Sequence, residues 1–407
     1  MNRNSGGRRP ELLAPAGDWE KLRFAVAYGA DAVYLSGKCY GMRSSAGNFD
    51  DDGLAKAAAY CHERGVQAYV TVNVMPRPGD LCDLPRHISA VDRAGIDAVI
   101  VADIGILQMV KDIAPRLRIH VSTQANVVNQ AAARMWHNLG ADRVVLAREL
   151  SLEEIAAIRL DTPPSLELEV FAHGSMCMAY SGRCVLSNYL TGRDANRGGC
   201  AQPCRWNYRL VEEKRPGEYF PVFEDDGGAY ILSARDLCMA RHVRQLMAAG
   251  VDCLKLEGRA KTFYYAAVVT GAYRRAVDLA LQEQGADEIV LSELDKVSHR
   301  EYSTGFYFGP GQQQWQTDGY LRGWDICAVV QESTPGGRTR FQQKNKCAEG
   351  DEVELLSPGR PAQSFTLGPL FDAEGGRIPA AIHPMMLFET ALPFAAPPFS
   401  IIRKKTD

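Results

Sequence analysis

The sequence contains no apolar run approaching twenty residues, which excludes a membrane-spanning helix. Residues 1–9 are polar and basic and lack the apolar stretch of a secretory signal, so the chain is expected to work in the cytoplasm. It also lacks a basic excess. Lys and Arg number 46 against 49 Asp and Glu, a net charge of −3, so the chain as a whole shows no electrostatic footprint of a nucleic-acid binder. The local basic runs 241–244 and 403–405 read as solvated charged faces. No HExxH segment and no Ser/His/Asp order is apparent. The 11 cysteines include no CxxC pair, and an odd count without a secretory signal argues against a disulfide framework.

What is present is enough apolar material for a full core. Hydrophobic residues make up 46% of 407, which fits one large α/β domain plus a smaller one. A short motif repeats along the first part. Gly29-Ala-Asp-Ala-Val-Tyr-Leu recurs in altered form at Gly95, Gly140 and Gly250, each time after a helical pattern and before an apolar run. The glycine closes the helix, because it accepts a left-handed backbone, and the apolar run reads as a parallel strand buried on both faces. Eight such runs are found, at 11–15, 32–36, 67–73, 98–103, 118–123, 143–148, 166–171 and 253–257. Eight alternating units favour a (β/α)8 TIM-like barrel over an open doubly wound sheet. Helices are expected at 234–249 and 263–282.

Residues 10–310 are therefore assigned to the barrel, with an insertion at about 176–230 that includes a small hairpin near 208–223. Residues 311–407 form a second unit. There short apolar runs alternate with turn signals, which predicts a small C-terminal antiparallel β-barrel or sandwich that binds RNA or protein, or braces its neighbour. In such a barrel the active site lies at the C-terminal strand ends. The polar residues at those ends are Asn73, Asp103, Gln124, Arg148, Glu149, His173, Glu257 and Arg259.

The insertion opens with the chemistry-bearing motif. Glu169-Val-Phe-Ala-His173-Gly-Ser-Met-Cys177 continues through Gly182-Arg-Cys184 to Asn196-Arg-Gly-Gly-Cys200-Ala-Gln-Pro-Cys204-Arg205. Cys177, Cys184, Cys200 and Cys204 are thus spaced C-x6-C-x15-C-x3-C. Thiolates suit zinc or iron–sulfur clusters, and these gaps fit zinc knuckles poorly while a [4Fe–4S] body accepts wider ones. Glycines 174, 182, 198 and 199 are expected to let the backbone approach the metal. Zinc, and four unrelated buried thiols, are the alternatives.

This cysteine motif resembles the signature of the collagenase-like, U-type peptidase family. Leu13-Ala-Pro-Ala-Gly17, Gly29 to Tyr34 with Arg43 and Asn48-Phe49 after it, and Leu254-Lys-Leu-Glu-Gly-Arg259 resemble it too, so the likeness spans most of 10–310. The resemblance implies a [4Fe–4S] cluster on the four cysteines and 5-hydroxylation of wobble uridine 34 in tRNA, with prephenate as cosubstrate. It implies contact with the tRNA anticodon loop and no membrane, and it admits a second protein of the same family as a partner. Peptidase action, hydroxylation of an rRNA base or a quinone precursor, and a non-enzymatic RNA-binding role stay open. In the hydroxylase reading His173, Glu169, Glu257 and Arg259 are the catalytic candidates. Glu169 or Glu257 would act as general base or pair with Lys255 or Arg259, and His173 would donate to a sulfur, move a proton or merely fill the loop. Asn73, Gln124, Arg43, Arg205 and Tyr180 are the substrate-binding candidates. Tyr180, Trp206 and Tyr208 would stack on bases, and Arg205, Arg259 and Lys261 would meet phosphate or carboxylates.

Overall fold

A computed structural model describes residues 9–42, 47–177, 179–206, 210–211, 219–220, 234–310, 320–333 and 338–406. Eight parallel strands pair in sequence order: β1 (Glu11–Pro15), β2 (Ala32–Ser36), β3 (Gln67–Val72), β4 (Ala98–Val101), β5 (Arg118–Val121), β6 (Arg143–Val145), β7 (Glu167–Ser175) and β8 (Cys253–Leu256). β8 pairs with both β7 and β1, which closes the barrel and disposes of the open-sheet alternative. Helices α1 (Trp19–Ala27), α2 (Asp51–His62), α3 (Leu84–Arg93), α4 (Ile104–Ile113), α5 (Gln130–Asn138) and α6 (Leu152–Leu160) alternate with the strands. Asp18, Asp50, Asp103, Asn129 and Ser151 cap five of them by accepting first-turn amides.

The repeat has a structural meaning beyond its glycine. Gly29, Gly95, Gly140 and Gly250 all adopt positive φ, between +80° and +108°, as helix-closing glycines do. Two residues on, each aspartate accepts a backbone amide of the preceding strand. Asp31 takes Leu12 N–H (2.9 Å), Asp97 takes Ala68 (2.8 Å), Asp142 takes Ile119 (2.8 Å) and Asp252 takes Leu168 (2.9 Å). The barrel base is thereby clamped four times, once per strand pair.

Inside the lower barrel, charge is enclosed rather than excluded. The Arg143 guanidinium meets Glu11 (2.7 Å), Glu167 (2.6 Å) and Glu169 (3.1 Å), and Lys255 meets Glu169 at 2.7 Å. Buried ions persist where each has a partner and its hydrogen bonds are met, as here.

One helix differs from expectation. Residues 234–249 begin as a strand, Asp236–Cys238, and only then turn into α8 (Val243–Ala248). The cause is the length of β7: it runs nine residues while β6 has three and pairs only with residues 167–169, so the upper part of that edge is left unpaired, and Asp236–Cys238 covers it antiparallel. α9 (Phe263–Leu281) packs outside the barrel against α1, as expected. A two-stranded pairing of Leu210–Val211 with Tyr219–Phe220 stands where a hairpin was expected.

The second unit is an antiparallel sheet of eight strands. Its longer members are β9 (Trp324–Ser333), β10 (Thr339–Gln343), β11 (Glu352–Leu356), β12 (Gln363–Thr366), β13 (Leu387–Thr390) and β14 (Ile401–Lys405). It curls around Cys327, Phe341, Leu355, Phe388 and Ile402. Among the described residues its two outermost strands do not pair with each other, so it is a curled sheet rather than a closed barrel. It leans on the barrel's outer helices. Arg403, expected on a solvated face, is fully buried between Glu293 of α10 (Glu288–Leu294; 2.5 Å) and Glu354 of β11 (2.7 Å). The module thus packs on the barrel through a buried ion pair.

Candidate active site at the barrel mouth

Residues 179–206 of the insertion after β7 lie over the barrel mouth and are pinned by the loops of three strands. After β3, Arg197 pairs with Asp80 (2.5 Å), and Met75 N–H donates to Asn196 O (3.1 Å). After β6, Glu149 accepts from Ser181 N–H (3.0 Å). After β5, Gly182 sits so tightly on Gln124 that a Cβ would stand 2.2 Å from the Gln124 carbonyl oxygen, and its φ is +74°. Gly174 is crowded in the same way by Glu257 O. These two glycines therefore allow close contact with the barrel backbone, and Gly182 also lines the cavity described next.

Between insertion and barrel lies a cavity of about 230 Å³, and Cys177, Cys184, Cys200 and Cys204 all line it. Burial pushes the Cys204 thiol up, Arg205 draws it down, and Cys177, Cys200 and Cys184 each push it up again. Gln202 N–H donates to Cys200 Sγ at 3.4 Å, and Asn196 Nδ2 holds Cys184 O at 2.7 Å. Among the described residues, no three His, Cys, Asp or Glu side chains are grouped as a single metal ion would require.

Of the other expected residues, Gln124, Tyr180 and Arg205 line this cavity. Arg205 Nη1 also donates to Tyr320 OH (2.7 Å). Asn73 stands behind the wall: its Oδ1 accepts from Met42 N–H (3.1 Å) and its Nδ2 donates to Ser122 Oγ (3.0 Å), tying the β2 and β5 loops together. Arg259 is buried, its Nη1 donating to Thr71 Oγ1 at 3.0 Å, one residue from the lining Ala260. Arg43 and Tyr208 lie outside the described residues.

Three catalytic candidates are placed elsewhere. Glu169 belongs to the lower-barrel ion network. Burial alone would raise its carboxyl, but Lys255 and Arg143 hold it below the ordinary range, so it is fixed as an anion between two cations. His173 is displaced by an irregularity in the β7–β8 register and packs among Tyr265, Tyr273 and Tyr302. Neither ring nitrogen has a hydrogen-bond partner among the described residues, and burial takes its pKa down to about 3. Glu257 meets β7 through its backbone, its N–H donating to His173 O at 2.9 Å, and its side chain is not among the cavity's lining groups. Arg148 and Glu149, expected simply as polar strand ends, both line the cavity. Arg148 also donates to Ser175 O (2.7 Å), with its guanidinium 3.7 Å from the centre of the Phe171 ring.

Residues 17–317 match the model of peptidase family U32, and 322–403 match the C-terminal domain of that family. The chain belongs to peptidase family U32. Similar relatives of this family include tRNA hydroxylation protein P1 of Bacillus subtilis, 36% identical over 98% of this chain and 95% of the relative. Another is tRNA hydroxylation protein P of Escherichia coli, 37% identical over 92% of this chain and 91% of its own length. A third, from Porphyromonas gingivalis, is named collagenase and is 35% identical over 75% of each chain. The U32 family thus joins two kinds of activity name on one architecture, and the cavity must decide between them.

Proposed function

We propose that this U32 chain is an iron–sulfur-dependent tRNA hydroxylase that converts the wobble uridine at tRNA position 34 to 5-hydroxyuridine, with prephenate as cosubstrate. The observation that carries the reading is the near full-length similarity to two tRNA hydroxylation proteins, in a chain whose four cysteines line one cavity at the catalytic end of a barrel. Four soft thiols that line one cavity, spaced unlike paired zinc knuckles, suit an iron–sulfur cluster. Cys177, Cys184, Cys200 and Cys204 would hold it, and it would supply one-electron chemistry.

The remaining work falls to this chain's own side chains. Gln124 offers an amide, donor and acceptor together, suited to the edge of an unstacked pyrimidine. Arg148 and Arg205 offer guanidinium forks for the carboxylates of prephenate or for phosphate. Tyr180 provides a ring at the cavity edge, and Asn73 keeps the two flanking loops in register from behind.

The collagenase name of one relative favours peptide hydrolysis as the rival. No histidine lines the cavity among the described residues, so a cysteine–histidine nucleophile pair has no base there. The test is a nucleoside profile of tRNA from a strain lacking this gene and any redundant hydroxylase. Loss of 5-hydroxyuridine derivatives is expected, restored by the wild-type chain and not by Cys200→Ala. An unchanged profile refutes the assignment. Anaerobically purified wild-type protein should carry iron and absorb near ~400 nm, and Cys200→Ala should not. Colourless wild-type protein with stoichiometric zinc would refute the cluster.

A further inference from the structure

The insertion carries more than the thiols. Five large apolar side chains stand exposed on it, within residues 180–206: Tyr180, Val185, Tyr189, Leu190 and Trp206, with Tyr189 87% exposed. Each lies close to a cavity-lining residue. Tyr180 lines the cavity itself, Val185 follows Cys184, Trp206 follows Arg205, and Tyr189 stands one helical turn beyond Leu186. Grouped exposed apolar residues around a cavity mark a binding surface, whereas scattered ones do not.

Charge points to the partner. Residues 177–206 hold four arginines against one aspartate in a chain whose net charge is −3. Arg197 is engaged with Asp80, and Arg205 bonds to Gln202 and Tyr320. Arg183 and Arg193 are exposed and make no salt bridge among the described residues. The surface is also built before any partner arrives. Ser187 Oγ donates to Arg193 O (2.7 Å) and accepts from Ala201 N–H (3.0 Å), which locks α7 (Leu186–Thr191) to the turn that follows it.

Exposed aromatic rings interleaved with unpaired guanidinium groups on a fixed platform are the chemistry that binds single-stranded nucleic acid. Every base offers a π-face to stack, and every linkage offers a phosphate. We infer that Tyr180, Tyr189 and Trp206, with Arg183 and Arg193, form a stacking and phosphate-binding rim that grips an unpaired RNA loop and delivers one of its bases to the thiol cavity. This inference rests on the RNA-modifying reading above and names the surface through which it acts.

The test uses the full-length protein, a labelled RNA hairpin with an unpaired loop, a blunt duplex of the same stem, and a gelatin peptide. Binding is followed by fluorescence anisotropy at several salt concentrations. Tyr189→Ala should weaken hairpin binding about 5- to 150-fold, the range for loss of one stacked base, and leave duplex binding unchanged. Arg183→Gln with Arg193→Gln should reduce the slope of log affinity against log salt by about 1.4, since each single-strand phosphate contact contributes ~0.7. Unchanged affinity and slope overturn the inference. So does peptide binding that depends on Tyr189 while the hairpin does not bind. If tRNA nucleosides prove unaffected by gene deletion but Tyr189→Ala still weakens hairpin binding, the activity falls and the rim stands. If the nucleosides change but the rim variants bind as wild type, the rim alone falls.

Discussion

At the scale of single residues, the four repeat aspartates show how a short motif acts. Asp142 accepts the Ile119 amide, and a hydrogen bond to a charged group contributes about 1.5–3 kcal/mol. Asp142→Ala should lower the free energy of urea unfolding by that amount, while Asp278→Ala on the exposed face of α9 should change it by less than about 0.5 kcal/mol. Equal effects of the two would remove the clamp from the account. His173 makes a second prediction. It is neutral when folded down to about pH 3, whereas in the unfolded chain it titrates near its ordinary 6.5. As pH falls through that window the unfolded chain gains a proton that the folded chain refuses, so stability falls by up to ~1.4 kcal/mol per pH unit. Above pH 6.5 the group contributes nothing. His173→Phe should therefore flatten the decline of the urea midpoint between pH 6.5 and 4, and parallel curves for the two proteins would refute it. The repeat glycines were legible because φ is a local property. The aspartate bonds were not, because their partners lie between 19 and 84 residues away.

At the scale of elements, the insertion behaves as a lid pinned on three sides. Gly182 is its most exacting point, since a methyl group there would strike the Gln124 carbonyl. Gly182→Ala should lift this corner, lower the iron content of anaerobically purified protein by at least about half, and leave the thermal midpoint within a few degrees. Full iron loading in that variant would show that the close approach is dispensable. Cysteine spacing made this element readable: a four-thiol loop after the seventh strand was expected, and the thiols do share one cavity. Glu169 pairs with Lys255, one of the two roles expected of it, and both it and His173 lie away from the cavity for a definable reason. Alternation along β7 puts residues 169, 171 and 173 on one face, but the register shift beside Leu256 turns His173 out to the tyrosines, and Glu169 sits too low in the barrel to reach the mouth. Bulges of this kind leave no trace in hydrophobic pattern.

At the scale of the whole molecule, two units share one buried charge. Arg403 on β14 joins Glu293 of the barrel's α10 to Glu354 of β11, and Tyr28 of the barrel donates to Phe399 O at 3.0 Å. Removing one partner of a buried pair costs about 3–5 kcal/mol, because the carboxylates are left enclosed without their cation. Arg403→Met should destabilise by that amount and split the calorimetric unfolding of the chain into two transitions. A single transition at the wild-type midpoint would show that the contact does not couple the units. Sequence pattern located the second unit and four of the eight strands of its sheet, yet it read Arg403 as solvated. Charge runs look alike whether they face water or a neighbouring domain, and only docking tells them apart.

The four aspartate clamps lie at the end of the barrel opposite the thiols. Strand order and register are therefore decided at the base, one pair at a time, by groups that take no part in the mouth. Such a division of labour makes the base a chassis. The loops above it, the cysteine lid included, can be exchanged or remodelled while the strands beneath stay in register, and one architecture can come to carry both a hydroxylase name and a collagenase name.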